Sequence, residues 1–278
     1  MENKAAVNID TVIDYIENHI SEKIDLETVA AAANYSKYHL HRMFTETVGL
    51  TIHDYIHRRQ LTEAAKLLVF SDKPILEIAF ICGYESQQSF TTAFTSMYKT
   101  SPAQYRDRQA FYPLQLRFRL HNKRLNTALT KNDIRMAAME DISSWMELLP
   151  LVIDGYPALD EAGYLYKLKI FIQNKRALVL KDGDLLIGAL AFSFPPYTIE
   201  FMGIHPQYRR RGIQKLFLDA LLEDYYPEQD IYTTTYREGD RADTGYRKEL
   251  QKLGFAEREL LVEFGYPTQR FVLPAKYS

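Results

Sequence analysis

Sliding residues Leu26 to Arg58 along the chain by about fifty positions superposes them on Ile75 to Arg108, and a chain that repeats itself at such a period builds two like supersecondary units. Ala30 matches Ala79, Asn34 matches Gly83 and Tyr35 matches Tyr84. One extra residue then enters the second copy, after which Ser36 pairs with Ser86, Leu40 with Phe90, Phe44 with Phe94 and Tyr55 with Tyr105. Each copy predicts a helix, a tight turn and a second helix. The small Ala30 or Ala79 lets two helices approach. Asn34 or Gly83 stands where the chain turns, because Gly takes a left-handed conformation freely and Asn tolerates it. Ser36 or Ser86 is placed to cap the second helix with its hydroxyl.

In those second helices Leu40, Met43 and Phe44, and likewise Phe90, Ala93 and Phe94, face inward at i, i+3, i+4. Tyr38, His41, Arg42 and Thr45 then face outward in the first copy, and Gln87, Gln88, Thr91, Thr92 and Thr95 in the second. Outward side chains that are mostly uncharged hydrogen-bonders plus one Arg suit base edges, since Arg pairs with guanine and Gln with adenine. A helical bundle with a polar face gives the same spacing. Between the motifs, Thr51 to Ser71 holds no Gly or Pro and predicts one helix roughly 30 Å long. A DNA turn is roughly 34 Å, so such a spacer suits two reading helices in successive major grooves of one asymmetric site, and a monomer suffices. Charge argues the other way: the chain carries a net −2, and residues 1–110 hold 11 Lys/Arg against 14 Asp/Glu. Binding to DNA then rests on where charge is placed rather than on its sum.

The run Asn34 to Phe44, the segment Pro74 to Ala79, Gly83 to Gln88 and Ser101 to Arg106 together resemble the AraC/XylS regulators, and among them the MarA, SoxS and Rob group. The resemblance spans about residues 8–108. It implies sequence-specific binding to double-stranded promoter DNA, with Tyr38, His41, Arg42, Gln87, Gln88 and Thr92 at base-reading or groove-facing positions. Where the group commonly carries a second Arg this chain has Thr92, so its target is expected to differ, and Asn34 replaces the more usual Gly.

At 278 residues the chain is long enough for two domains. Its longest nearly uncharged apolar stretch, Leu185 to Phe194, is about half the roughly 20 residues of a membrane helix and predicts a buried strand. The N-terminus lacks the basic start and apolar run of a secretory signal, and Cys82 is the only cysteine, so a cytoplasmic protein without internal disulfide, membrane contact or metal is expected. Residues 109–132 contain no acid but Arg117, Arg119, Lys123, Arg124 and Lys131. This basic linker is partly a strand if the alternation of Leu114, Leu116, Phe118 and Leu120 is taken at face value. Contact with phosphate and plain solvation both remain open for it.

From about Asp133 strands and helices alternate: Ile134–Ala138, Ala177–Leu180, Leu185–Phe194 and Thr198–Ile204 predict strands, Asp141–Val152 and Gln214–Tyr225 helices. The expected fold is therefore α + α/β, an all-α unit over 1–108 and a mixed α/β unit over 133–278. Within the latter, Ile204 to Phe217 reads as a strand end, a basic turn holding Gly212 and a helix start. Backbone N–H groups at a helix N-terminus attract anions, and Arg209, Arg210, Arg211 and Lys215 add charge suited to a pyrophosphate. The alternative is a turn made by Gly212 with solvated arginines.

That segment resembles the acetyl-coenzyme A loop of the GNAT acyltransferases, whose pattern of Arg or Gln, two residues, Gly, one residue, Gly or Ala falls on Arg209, Gly212 and Gln214. Leu253-Gly254-Phe255 fits a later helix-to-strand turn of the same fold. The resemblance implies an acetyl-coenzyme A or other acyl-coenzyme A site formed by Met202, Gly203, Ile204, Arg209, Arg210, Arg211, Gly212, Ile213, Gln214 and Lys215. It departs from the pattern where Gln214 replaces a small residue and where Leu250 replaces a tyrosine that protonates the leaving thiolate. If acetyl passes to a small amine, a carboxylate or relayed water must take a proton. Glu200, alternating with Met202 and Ile204, is the candidate base, with an edge ion pair as its alternative. Tyr246, or Tyr232 or Tyr236, is the candidate acid, each against a packing role, and His205 is expected to be structural. Three readings of the whole stay open: a regulator that acetylates an amine, a regulator that senses an acyl-coenzyme A without turnover, and an enzyme whose helical part makes protein contacts. Gln87, Gln88 and Arg42 argue against the third.

Overall fold

The computed structural model describes residues 2–22, 24–120, 129–152, 160–226, 228–263 and 266–275, with side chains from Ile9 onward. They form two compact units, one described through Leu120 and the other from Leu129. The first contains α1 (Glu2–Asn18), α2 (Leu26–Ala32), α3 (Lys37–Val48), α4 (Ile52–Phe70), α5 (Ile75–Ile81), α6 (Gln87–Tyr98) and α7 (Pro102–Arg108). The sequence repeat is a structural repeat: α2 and α5 have seven residues each, α3 and α6 twelve. Asn34 takes φ 56° and Gly83 φ 80°, the left-handed turn expected of both. In each copy the residue after the turn donates its backbone N–H to the helical alanine, Tyr35 to Ala30 at 2.9 Å and Tyr84 to Ala79 at 3.0 Å. The Ser36 hydroxyl accepts the His39 N–H at 3.4 Å and that of Ser86 the Ser89 N–H at 3.1 Å, satisfying donors that the helix cannot.

Each motif has its own core, and α4 belongs to both. Ile52, Tyr55 and Ile56 pack with Val12, Ile16, Leu40 and Phe44, while Leu61, Ala64, Ala65 and Leu68 pack with Ile78, Phe90, Phe94 and Tyr105. The segment after α7 is not a tether, at least through Leu120, and it contains no strand. It lies extended on this unit, Leu114 in the second core and Phe118 in the first. Side-chain hydroxyls bind its backbone: Thr62 Oγ1 accepts the N–H of Leu114 and Gln115 at 3.1 Å each, Tyr55 Oη accepts that of Phe118 at 3.1 Å, and Tyr98 Oη donates to the Tyr112 carbonyl at 2.9 Å. Alternation arises whenever an extended chain buries every second side chain, whether its other side is a sheet or a helix, which is why the pattern predicted a strand here. Lys123 and Arg124 lie outside the described residues.

The second unit runs β1 (Arg135–Met136), α8 (Ile142–Val152), α9 (Glu161–Gln173), β2 (Ala177–Asp182), β3 (Leu185–Ser193), β4 (Thr198–Ile204), α10 (Ile213–Asp224), β5 (Ile231–Tyr236), α11 (Tyr246–Lys252), β6 (Ala256–Glu263) and β7 (Tyr266–Leu273). The sheet order is β1-β2-β3-β4-β5-β7-β6, antiparallel except where β4 meets β5. Alternate residues serve opposite faces. Leu178, Leu180, Ile187 and Leu190 pack with Phe217 and Leu221 of α10 and Leu250 of α11, while Ala177, Val179, Ala189 and Ala191 pack with Trp145 of α8 and Leu168 and Ile172 of α9. Leu185 to Ser193 is apolar without alternation because both faces are covered. At Gly188 a Cβ would stand 2.7 Å from the Phe217 ring, so the absence of a side chain lets α10 lie against β3.

Candidate functional site

In the helical unit, α3 and α6 carry the candidate reading residues. Tyr38 is 86% exposed, and His41, Arg42, Gln87, Gln88 and Thr92 are exposed as well, each helix held from behind by its buried Leu40 and Phe44 or Phe90 and Phe94. Thr45 and Thr91 are half-buried, and the Thr45 hydroxyl is wholly covered, so these two sit at the margin of the outward face. At the start of α3, Lys37 is held by Glu27 of α2 at 3.3 Å. The exposed face of α6 holds no charged side chain: Gln87, Gln88, Ser89, Thr92 and Thr95 are all neutral.

In the α/β unit, the parallel pair β4 and β5 has a single register pair, Thr198 with Tyr232, and no ladder beyond it among the described residues. The strands therefore part toward their C-terminal ends, leaving the β5-facing edge of Phe201 to Ile204 without a strand partner. The same strand carries an irregularity on its β3 side. Ala191 of β3 pairs with Phe201 and Phe192 with Ile199, so Glu200 is the extra residue of a β-bulge. The simple alternation of Glu200 with Met202 and Ile204 is thereby interrupted: Ile199 joins Met202 and Ile204 on the side facing α10. Glu200 is exposed and accepts a hydrogen bond from the Ser193 hydroxyl, a partner that sequence spacing gave no sign of.

Beyond β4 and a short helical turn at Pro206–Tyr208, Gly212 takes φ 70° and precedes α10, and a Cβ at this position would meet nothing within 4 Å. The first helical bond runs from Leu216 N–H to Gly212 O at 3.2 Å, leaving the N–H groups of Ile213, Gln214 and Lys215 as the orphan donors of the first turn. Gly203, Ile204 and Ile213 are buried and shape the loop from within, Met202, Arg209 and Gln214 are half-buried, and Arg210 and Arg211 are exposed. Open space above a left-handed glycine, orphan donors and three arginines fit a pyrophosphate. Lys215 does not add to them directly, being paired with Asp219 at 2.7 Å. His205 is 2% exposed and its Nδ1 accepts the Gln207 N–H at 3.4 Å, an internal role.

Leu250 is fully buried in the core beneath α11, where a phenol of the same reach would need different surroundings. Tyr246, one turn earlier, packs on that core, and burial pushes its phenol well above the ordinary value, which makes it a weaker acid. Tyr236 is buried against Tyr266 and its carbonyl accepts from Arg247 at 2.8 Å, while Arg270 lies over the Tyr232 ring at 5.9 Å. Among the described residues no group of three His, Cys, Asp or Glu is placed to hold a metal ion, and no helix is long and apolar enough to cross a membrane.

Two family models match the chain, a helix-turn-helix domain over residues 29–108 and the acetyltransferase (GNAT) family over residues 141–255. The multiple antibiotic resistance protein MarA of Salmonella typhimurium is 38% identical over 104 residues, 37% of this chain and 82% of that protein. The uncharacterized HTH-type transcriptional regulator YbfP of Bacillus subtilis is 38% identical over 98 residues, 35% of this chain, which spans about a third of that protein's length (33%). Among solved structures, a GNAT-family acetyltransferase from Bacillus cereus aligns with 52% of this chain and 97% of its own at 19% identity and a TM-score of 0.41. The GNAT family generally uses acyl-coenzyme A. The chain belongs to the AraC-type helix-turn-helix regulators, with a GNAT acetyltransferase domain joined to the DNA-binding unit.

Proposed function

We propose that the helical unit binds one asymmetric duplex site, reading it with Tyr38, His41 and Arg42 from α3 and Gln87, Gln88 and Thr92 from α6, and that the α/β unit binds acetyl-coenzyme A and passes its acetyl group to a small amine. The observation that carries the DNA reading is the exposure of hydrogen-bonding side chains on α3 and α6, whose supporting cores share α4. Selection from random duplexes with the full chain tests it. One enriched asymmetric sequence supports the reading, and retention of all sequences alike removes it.

The opening between β4 and β5, ending at the donors of α10, supports the cofactor reading. Bound there, the thioester would supply an acetyl group that an amine nitrogen can attack. Glu200 Oε takes the proton that the amine loses, its bulge placing it two residues beyond the last β4–β5 pair. Tyr246 Oη would be the donor to the departing sulfur, a weak one because burial raises its phenol above the ordinary value. A second reading, an acyl-coenzyme A sensor without turnover, is favoured by Leu250 in place of an acid and by Gln214 in place of a small residue. A sensor requires unequal affinity for two states of the protein. Coenzyme A release with an amine panel, set beside DNA affinity with and without acetyl-coenzyme A, separates the two.

A further inference from the structure

Tyr208 joins three parts of the second unit that the sequence keeps apart. It is 2% exposed, and its hydroxyl donates to the Asp182 carboxylate at 2.6 Å, at the end of β2 where the chain turns into β3. Its carbonyl accepts the Arg211 N–H at 3.0 Å, and the Arg211 guanidinium stands over its ring, 5.4 Å from the centroid. An arginine on an aromatic face within about 6 Å gains cation–π attraction and loses freedom. Its charge is then already placed when an anion arrives, and the ordering cost on binding is reduced.

We infer that Asp182 and Tyr208 are positioning residues that hold Arg211 ready for the phosphate groups of the ligand at α10, making Arg211 a specificity determinant for phosphate-bearing ligands. The inference rests on the coenzyme A reading above. Asp182 anchors the hydroxyl, the buried ring cannot shift within the core, and the ring and the backbone bond together fix Arg211 one residue before Gly212. Nothing in the spacing of the sequence pairs Asp182 with Tyr208, which lie 26 residues apart.

The test is calorimetric titration of the full chain with coenzyme A and with pantetheine, which shares the thiol arm and lacks every phosphate. Tyr208→Phe keeps the ring and removes the bond to Asp182. It is expected to weaken coenzyme A by about three- to tenfold, the worth of one hydrogen bond, with pantetheine unchanged. Arg211→Ala is expected to show the same ligand dependence, and Tyr208→Phe combined with Arg211→Ala to be no weaker than Arg211→Ala alone, because residues acting through one another are not additive. Equal weakening of both ligands in Tyr208→Phe, full additivity in the double variant, or unaltered coenzyme A affinity overturns the positioning role while leaving the cofactor reading intact. A parent chain that binds no coenzyme A removes that reading and the inference with it.

Discussion

Arg59 on α4 grips both carboxylate oxygens of Glu17 on α1, Nη2 at 2.7 Å and Nε at 2.8 Å, with both side chains less than a tenth exposed. The same carboxylate accepts the Tyr55 hydroxyl at 2.8 Å, and Arg59 donates onward to Glu63 and the Gln115 carbonyl. Removing Glu17 takes away the bidentate partner and leaves the buried guanidinium with Glu63 and the Gln115 carbonyl. Glu17→Ala is therefore expected to destabilise the helical unit by about 1.5–3 kcal/mol, the worth of hydrogen bonds to a charged group, measured by urea unfolding of the full chain.

Burial alone pushes the Glu17 carboxyl up, but the hydrogen bonds and charge of Arg59 and the bond from Tyr55 outweigh it, and the group lies below its ordinary value. Asp141, buried between Arg135 and Lys181 at 2.7 Å each, follows the same balance and falls well below the carboxylate range. A depressed carboxylate contributes its stability above its unfolded value, about 4, and loses it as pH falls through the folded one. Both units are thus expected to weaken below about pH 4, and Glu17→Gln and Asp141→Asn each to flatten the acid loss in their own unit, read by circular dichroism across an acid titration.

Arg42→Ala is expected to cost about 1–3 kcal/mol at the selected site and to relax one base pair, with a smaller loss on random duplex. Fluorescence anisotropy on both DNAs measures it, and equal losses on both would assign Arg42 to phosphate.

Gly212→Val adds a side chain where nothing stands within 4 Å but where φ is 70°. Its cost to folding is therefore backbone strain of about 1–2 kcal/mol rather than a clash. Coenzyme A binding is expected to be lost altogether because the new side chain fills the approach to the α10 donors. Calorimetry beside a thermal melt separates the two effects.

Glu200→Gln is expected to retain coenzyme A affinity and to slow acetyl transfer by about 10²–10⁴-fold. If the parent protein consumes no acetyl-coenzyme A with any amine but shifts its DNA affinity when the cofactor is added, the sensor reading replaces the enzyme.

The repeat, its turns and its caps were legible because each depends on a few adjacent residues: Asn34 and Gly83 for the turn, Ser36 and Ser86 for the cap. The loop at Gly212 was legible for the same reason. What escaped depends on partners distant in sequence. The bulge at Glu200 exists only relative to the register of β3. Helix α9 buries Leu168 and Ile172 but exposes Tyr166 and Ile170, and apolar residues on its outer face blur the helical stripe. The extended segment at Leu114 and Phe118 carries a true alternation, but what it packs on is a helix.

Because the N-terminal part of α4 completes the first core and its C-terminal part completes the second, neither motif can swing without disturbing the other's interior. On the proposed reading of one DNA site by α3 and α6, the protein then measures angle as well as length. One base pair added between the two halves of its DNA site advances the second half by roughly 3.4 Å and turns it by about 34° around the duplex. A jointed pair of domains would follow that rotation at little cost, whereas here α6 is left facing the sugar-phosphate ridge. Spacing in the promoter is then as much a part of the recognised message as the bases themselves.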